Sequence, residues 1–444
     1  MTTRRSPVSG RLALGGLVCV AIVAAFPCAL AQSPTRDNPF PRFYEPRRWG
    51  PFFVEPEFTI DNIGYDDNIF LRPEVLGQTE SDIVIQMGPR IRAQLPVGQR
   101  MALTFEDKLS GELFLHHPDL NHADNSLDAQ YDILVGRVLL TTRGGWTTSR
   151  QRPNSEIDER TRREAREAAQ TVRLFVGPRT DLVLTFGSSR IRYTDADRIV
   201  LIDPDGDGTP ESIEEGDTIG VPIGVALDRD EDELRVQAGW RLSGGMRLFV
   251  EYRDTQIDFV SELAGRDVDD TRKLVGLELS PNAYLTGELS FGQADVRNTF
   301  PGFEYIPYDG SVGRAELTYR PTGSTRLIGR YERDVNFSTY ERNLYYRETE
   351  RTLSAESFLG QRWGWQAGWS RRELQYPEEN TIIELTGSDQ RRRDEIDNAY
   401  AGVLFRYGRN VVLGIRYGVR QRDSNVPFFV DEQKYISTVG SVTF

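Results

Sequence analysis

From about Phe52 onward the chain repeats apolar and polar residues with a period of two, the spacing of strands whose two faces meet different surroundings. Leu234, Val236, Ala238 and Trp240 oppose Arg235, Gln237, Gly239 and Arg241. Ala315, Leu317 and Tyr319 oppose Arg314, Glu316, Thr318 and Arg320. Val411, Leu413, Ile415, Tyr417 and Val419 oppose Gly414, Arg416, Gly418 and Arg420. Met101, Leu103, Phe105, Leu109 and Leu113 oppose Thr104, Glu106, Lys108, Ser110 and Glu112. One strand breaks the pattern: in 181–194, Leu182 and Leu184 share parity with Arg190 and Arg192, which a bulge near Gly187 would repair.

Turn-forming residues punctuate the strands at 96–99, 143–145, 178–180, 242–245, 281–283, 321–324, 360–362 and 408–410. Longer, more charged connections fall near 71–80, 116–126, 152–163, 196–228, 259–268, 299–310, 341–344, 377–393 and 423–430. Eight tight turns alternating with nine longer loops predict eighteen antiparallel strands, an even count that returns both ends to one side. Sixteen is the alternative, because 143–165 is weakly patterned and its charged stretch Glu156 to Glu167 also fits a short helix.

The last strand chooses between a soluble sandwich and a barrel in lipid. Phe444, Val442, Gly440, Thr438 and Ile436 share one face, with Thr443, Ser441, Val439, Ser437 and Tyr435 on the other. A strand closing on an aromatic residue behind a secretion signal predicts an all-β, transmembrane, up-and-down antiparallel barrel in a Gram-negative outer membrane. In that setting the apolar faces turn outward to lipid and the polar faces inward. Trp363 and Trp365, beside the Gly360 turn, and Tyr345 and Tyr346, near a loop, fit interfacial girdles.

Residues 1–31 read as the signal peptide: Arg4, Arg5 and Arg11 precede an apolar stretch from Leu12 to Leu30, and Ala29-Leu30-Ala31 suits cleavage before Gln32. Residues 32–51, rich in proline and arginine, read as an extended periplasmic lead-in, and 52–444 as the barrel. Both cysteines, Cys19 and Cys28, lie in the signal, so the mature chain offers no disulfide and no thiolate metal site. The net charge of −13 becomes −16 without the signal, which excludes a nucleic-acid binder. No later stretch approaches the run of about twenty apolar residues of a membrane helix.

The most specific local motif is Asp203-Pro-Asp205-Gly-Asp207-Gly208-Thr209-Pro-Glu211-Ser-Ile-Glu214, in the longest loop. Its spacing is that of a calcium loop: Asp203, Asp205 and Asp207 converge, Gly208 allows the turn, Thr209 offers its carbonyl, Glu211 adds a carboxylate, and Glu214 closes the site. A solvated acidic loop is the plainer reading of the same residues. His116, His117 and His122 fall in one expected outer loop, near Asp119 and Asp124, which leaves no general base inside the barrel. No G-x-S-x-G segment occurs either, so the pattern points away from an enzyme.

Lysine occurs only at 108, 273 and 434; every other basic side chain but the histidines is arginine. Expected lining residues are Arg90, Arg92, Glu106, Glu112, Arg173, Arg235, Arg241, Arg247, Arg253, Arg314, Glu316, Arg320, Arg330, Arg406, Arg416 and Arg420. Two readings compete for them. A planar guanidinium can guide anionic or sugar cargo through a wet lumen, or it can brace the wall in arginine–glutamate ladders.

The segment Pro56-Glu-Phe-Thr-Ile-Asp-Asn-Ile-Gly-Tyr65-Asp-Asp-Asn68-Ile-Phe70, followed by Ser81-Asp82-Ile-Val-Ile and Gly88-Pro89-Arg-Ile, resembles the start of the Putative beta-barrel porin 2 family. The resemblance implies an outer-membrane barrel and, since some members sit in exopolysaccharide or capsule gene clusters, polysaccharide as a cargo class. The expectation is a monomeric channel for passive diffusion or export of a polysaccharide or another anionic or sugar solute. Its partners would be outer-membrane lipid, the barrel-assembly machinery reading the last strand, and polysaccharide export components. The alternative is a non-conducting surface barrel that displays calcium-stabilised loops.

Overall fold

In lipid a strand must find a partner on both sides, because unpaired backbone amides there cost several kcal/mol each. The chain meets that demand by closing on itself. The computed structural model describes residues 47–444 except 74, 76, 153–159, 195–198, 202–219, 223–226, 244, 261–264, 280–283, 303–304, 339–342, 380–390, 409 and 427–428. Eighteen antiparallel strands, each hydrogen-bonded to its sequence neighbours, form the wall. They are β1 (Phe52–Asp66), β2 (Asp82–Val97), β3 (Met101–Phe114), β4 (His122–Val135), β5 (Val138–Gln151), β6 (Thr161–Phe175), β7 (Thr180–Thr194), β8 (Arg229–Ser243) and β9 (Met246–Phe259). The circuit continues through β10 (Val268–Leu279), β11 (Leu285–Asn298), β12 (Tyr308–Thr322), β13 (Thr325–Phe337), β14 (Tyr345–Leu359), β15 (Trp363–Glu379), β16 (Arg391–Tyr407), β17 (Val411–Ser424) and β18 (Asp431–Thr443). Strand β18 pairs with β1 from Thr443↔Glu57 to Tyr435↔Asp66, which closes the barrel.

The strand count agrees with the alternation of turns and loops, but three local expectations do not hold. Arg143-Gly144-Gly145 is no turn; it lies in the middle of β5, and the chain reverses instead at Gly136-Arg137. Gly136 takes φ +61°, which a glycine adopts without a Cβ clash. The charged stretch ending at Glu167 is strand where it is described: β6 sends Arg162, Glu164 and Arg166 outward and Arg163 and Glu167 inward, so its charges have no helical face. Strand β7 has no bulge at Gly187, since its register runs unbroken against both β6 and β8. Its odd parity has another cause. Leu182, Leu184 and Phe186 face lipid, whereas Arg190 and Arg192 lie higher on the same face and share Asp230, at 3.2 and 2.7 Å.

That change recurs around the barrel. On β9 the outward residues run Met246, Leu248, Val250, Tyr252 from the short-turn end, then Asp254, Gln256, Asp258. On β15 they run Trp363, Trp365, Ala367, Trp369, then Arg371, Glu373, Gln375. From β6 to β18 the apolar belt therefore lies next to the tight turns and the strands continue beyond it as a charged collar; on β1 to β3 the outward face stays apolar to the loop end, at Tyr65, Ile83 and Leu113. Trp363 and Trp365 are exposed at the lower rim, as a girdle requires. Tyr345 and Tyr346 are not part of it: both are buried in apolar clusters at the loop end.

A true bulge occurs in β1, between Ile60 and Ile63, and the extra residue aims Asp61 at Lys108, 3.2 Å away. The end of the expected lead-in, Arg47–Trp49, pairs back on Val54–Phe52 as a small hairpin. Residues 1–46, including the expected signal and most of the lead-in, lie outside the described residues. In the longest loop Ile199–Leu201 pairs with Gly220–Pro222.

Candidate functional site

Inward-facing positions follow from the pairing: residues opposite one another share a face. By that rule the expected lining residues share the face opposite the apolar belt, except Arg320, which has no paired position in the irregular stretch between Tyr319 and Thr322. Arg90 and Arg92 (β2) both bind Glu106 (β3), Arg92 at 3.0 Å, and Arg92 also reaches Glu55 at 3.4 Å. Glu112 holds Arg160 at 2.7 Å and His122 at 3.2 Å. Arg173 lies 3.6 Å from Asp181, which also takes Arg247 at 2.7 Å; Arg247 further pairs with Glu278. Arg235 and Arg253 straddle Glu233 and Glu251 in a four-membered cross-strand ladder, with separations from 2.7 to 3.9 Å. Arg314 and Arg330 share Glu316 at 3.5 and 3.2 Å. Arg406 stacks on Phe358 at 3.7 Å, Arg416 donates to Ser437 at 2.9 Å, and Arg420 pairs with Asp431. Arg241 and Arg320 lie near the tight turns, where their amides bond Arg179 and Tyr284 carbonyls.

The bracing and the guiding readings thus describe different residues. Arg247 is buried, and its partners saturate it. Arg314 and Arg330 keep nearly half of their side-chain surface open, 47% and 46%, so they can meet a solute. The periodicity also contained ladder members that were not singled out. Arg272 binds Asp270 and Asp334 at 2.8 and 2.9 Å, and Arg372 binds Glu348 and Glu350 at 2.8 and 3.2 Å.

Toward the loop end the inner face changes character. Ile257, Phe259, Val268, Val296, Tyr308 and Val312 are inward-facing yet buried, because Val335, Leu344 and Tyr345 at the β13–β14 connection pack over them. Phe337 meets Phe259 edge-on at 5.4 Å and also touches the cluster of Ala165, Ile191, Tyr193 and Leu227. A third cluster, Ile69, Val84 and Phe114 with Phe70 and Leu120, lies under the loops after β1 and β3. Described parts of these connections therefore cover the inner wall with apolar side chains above the arginine-lined section.

The motif Tyr65-Asp66-Asp67-Asn68-Ile69-Phe70 stitches this end of the seam. Asp67 accepts from the Lys434 amide at 2.6 Å, and Asp66 accepts from the Gln433 side chain at 2.6 Å. Asn68, fully buried, donates to the carbonyls of Arg72 and Glu432 at 3.2 and 2.9 Å and accepts from the Arg72 amide at 2.8 Å. The tight path holds Leu71 at φ +50°, a costly conformation for leucine that burial of its side chain helps to offset. Asp82 accepts from the backbone amides of His116 and His117 and from their Nδ1 atoms, 3.0 and 2.8 Å away. His117 also reaches Glu80 at 3.1 Å and packs on Phe70. The hydrogen bond to Asp82, aided by Glu80, raises the His117 pKa above its ordinary value against a smaller opposing effect of burial.

The three histidines do not share one loop environment. His122 opens β4 and points inward at Glu112 and Asp124, so one imidazole does face the interior. Asp119 lies apart from it, in the short 3-10 turn Pro118–Leu120, and no group of histidines and carboxylates able to hold a metal occurs among the described residues. The expected calcium ligands Asp203, Asp205, Asp207, Thr209, Glu211 and Glu214 lie outside the described residues.

A family model described as Putative beta-barrel porin 2 matches residues 220–442, which run from just before β8 nearly to the end of β18. The motif at 56–91 falls outside that span. No curated protein matches the chain. Solved structures that resemble it include Acinetobacter baumannii OccAB3, 11% identical over 88% of this chain and 99% of that one, with a TM-score of 0.45. Pseudomonas aeruginosa OccK7 (OpdD) is 12% identical over 89% and 99%, with a TM-score of 0.43.

Proposed function

Because the chain belongs to the Putative beta-barrel porin 2 family, we propose that this outer-membrane β-barrel is a channel for passive diffusion or export. The observation that carries the reading is the closed wall itself. An outward apolar belt surrounds an inner face of paired arginines and carboxylates, some of them open to solvent, as in Arg314 and Arg330. Paired charges make such a lumen wet without giving it one dominant sign. Guanidinium forks beside carboxylates favour solutes rich in hydroxyls and carboxylates, so the cargo class is a polysaccharide or another anionic or sugar solute. The work is passage, not catalysis.

Refolded into a planar bilayer, the protein is expected to give discrete current steps, and an acidic oligosaccharide should interrupt them. Doubling Arg314→Gln with Arg330→Gln should lower the permeability to anions relative to cations. Silence at every voltage would refute the channel.

One observation favours a second reading. Connections at the loop end pack inward on apolar clusters, as in a barrel that displays loops and does not conduct. Calcium at 203–214 would serve that role by stiffening the longest loop. Loss of calcium binding in Asp205→Ala, with no current from the parent protein, would favour it.

A further inference from the structure

One patch of the inner wall differs from the arginine–carboxylate ladders. Tyr400 of β16 and Tyr435 of β18 both pair with Gly418 of β17, one from each side. Two inter-strand steps separate them, roughly 10 Å. Each ring lies along the wall over a glycine: a Cβ at Gly368 would be 2.3 Å from the Tyr400 ring, and one at Gly418 would be 2.3 Å from the Tyr435 ring. The Arg416 guanidinium sits between the rings, 5.4 Å from the Tyr400 centroid and 6.0 Å from the Tyr435 centroid. It is steadied by Ser437 at 2.9 Å, and the Tyr435 hydroxyl donates to Asn398 at 3.3 Å.

Aromatic rings over glycines are a common way to fill a gap in a sheet. Phe249 over Gly276 and Phe358 over Gly364 do that here, and both are buried. Tyr400 and Tyr435 are only half-buried, so one side of each ring rests on the wall and the other meets the lumen. Two flat apolar faces flank a cation that still has donors to spare. Pyranose rings present C–H faces that lie on such surfaces, and a uronate carboxylate suits the guanidinium between them.

We infer that Tyr400, Arg416 and Tyr435 form a saccharide-binding subsite on the inner wall, selective for acidic sugars. This rests on the channel reading, and it specifies the cargo class at one place in the lumen.

The test reads binding without current, so that failure of the subsite and failure of the channel are told apart. Titration calorimetry of the refolded protein in nanodiscs would use tri-galacturonate, maltotriose and benzoate as probes. Tri-galacturonate should bind more tightly than maltotriose. Tyr400→Leu and Tyr435→Ala should each weaken both sugars about three- to tenfold, the scale of losing one aromatic face. Arg416→Gln should weaken tri-galacturonate and spare maltotriose, and Tyr435→Phe should bind as the parent does. Tyr400→Leu keeps Gly368 covered, which guards against a simple packing loss. Three results would each overturn the subsite: no heat with either sugar, unchanged sugar affinity in the leucine and alanine variants, or binding of benzoate alone.

Discussion

Asn68 shows how much one side chain can do at a seam. Its amide ties the end of β1 to the carbonyl of Glu432 on β18 while the same group closes its own turn onto Arg72. Asn68→Ala leaves those backbone groups buried and unpaired, and should lower stability by about 2–3 kcal/mol, seen as a lower urea midpoint for unfolding. His117 adds a pH dependence. Its folded pKa is raised, so the stabilisation it brings is fully present below its ordinary value of 6.5 and is lost as pH rises through the folded value. The groups that face it are Asp82, Glu80 and the Phe70 ring. The difference in thermal midpoint between the parent and His117→Asn should therefore be larger at about pH 5.5 than at about pH 9. An equal difference at both would disprove the ion pair. Neither role was evident from residue type alone, because the partners of Asn68 and Asp82 are reached only through the barrel's closure and the loop after β3.

Among the elements, β1 carries the most demands. It starts in a small hairpin, contains the bulge and pairs with the last strand. Gly64 lies on that seam, where an added Cβ would fall 1.8 Å from the Ile436 carbonyl oxygen. Gly64→Ala must push the two strands apart, and should destabilise by about 1–3 kcal/mol, the scale of overpacking. Heat-modified mobility on gels would report it as earlier unfolding. Strands β4 to β6 show where reading by pattern falls short. Val135-Gly136-Arg137-Val138 carries one turn-former inside an apolar run, whereas Arg143-Gly144-Gly145 has two and is not a turn. Pairing with β4 and β6 decides the matter, since a reversal at 143–145 would leave their ladders unmatched. The first half of β6 alternates charge with charge, so hydropathy could not assign the faces of Arg162 to Glu167; inner partners such as Gly145 and Ser189 do.

Over β6 to β18 the wall is taller than its apolar belt. Ile415 and Gln421 lie on the same outward face of β17, the first inside the belt and the second in the charged collar. Ile415→Arg should cost about 2–4 kcal/mol of folding free energy in bilayers, and Gln421→Arg no more than about 1 kcal/mol. Equal costs at the two positions would place the membrane boundary elsewhere. The inner face has two layers in series, apolar clusters at the loop end and a section lined with paired charges below them.

The pattern along the chain set the class of fold through its period of two and its last strand, narrowed the strand number to sixteen or eighteen through its turns and loops, and set most inward faces, because lipid outside and water inside impose a two-residue rhythm. The shared face of Arg235, Arg241 and Arg247 follows that rhythm. Tertiary structure alone decided which arginines are spent on bracing and which stay open, where the belt ends, and what the Asp66-Asp67-Asn68 motif does. Each depends on neighbours distant in sequence that are brought together by the closure of β1 on β18 and by loops folding inward, and no local pattern encodes those meetings.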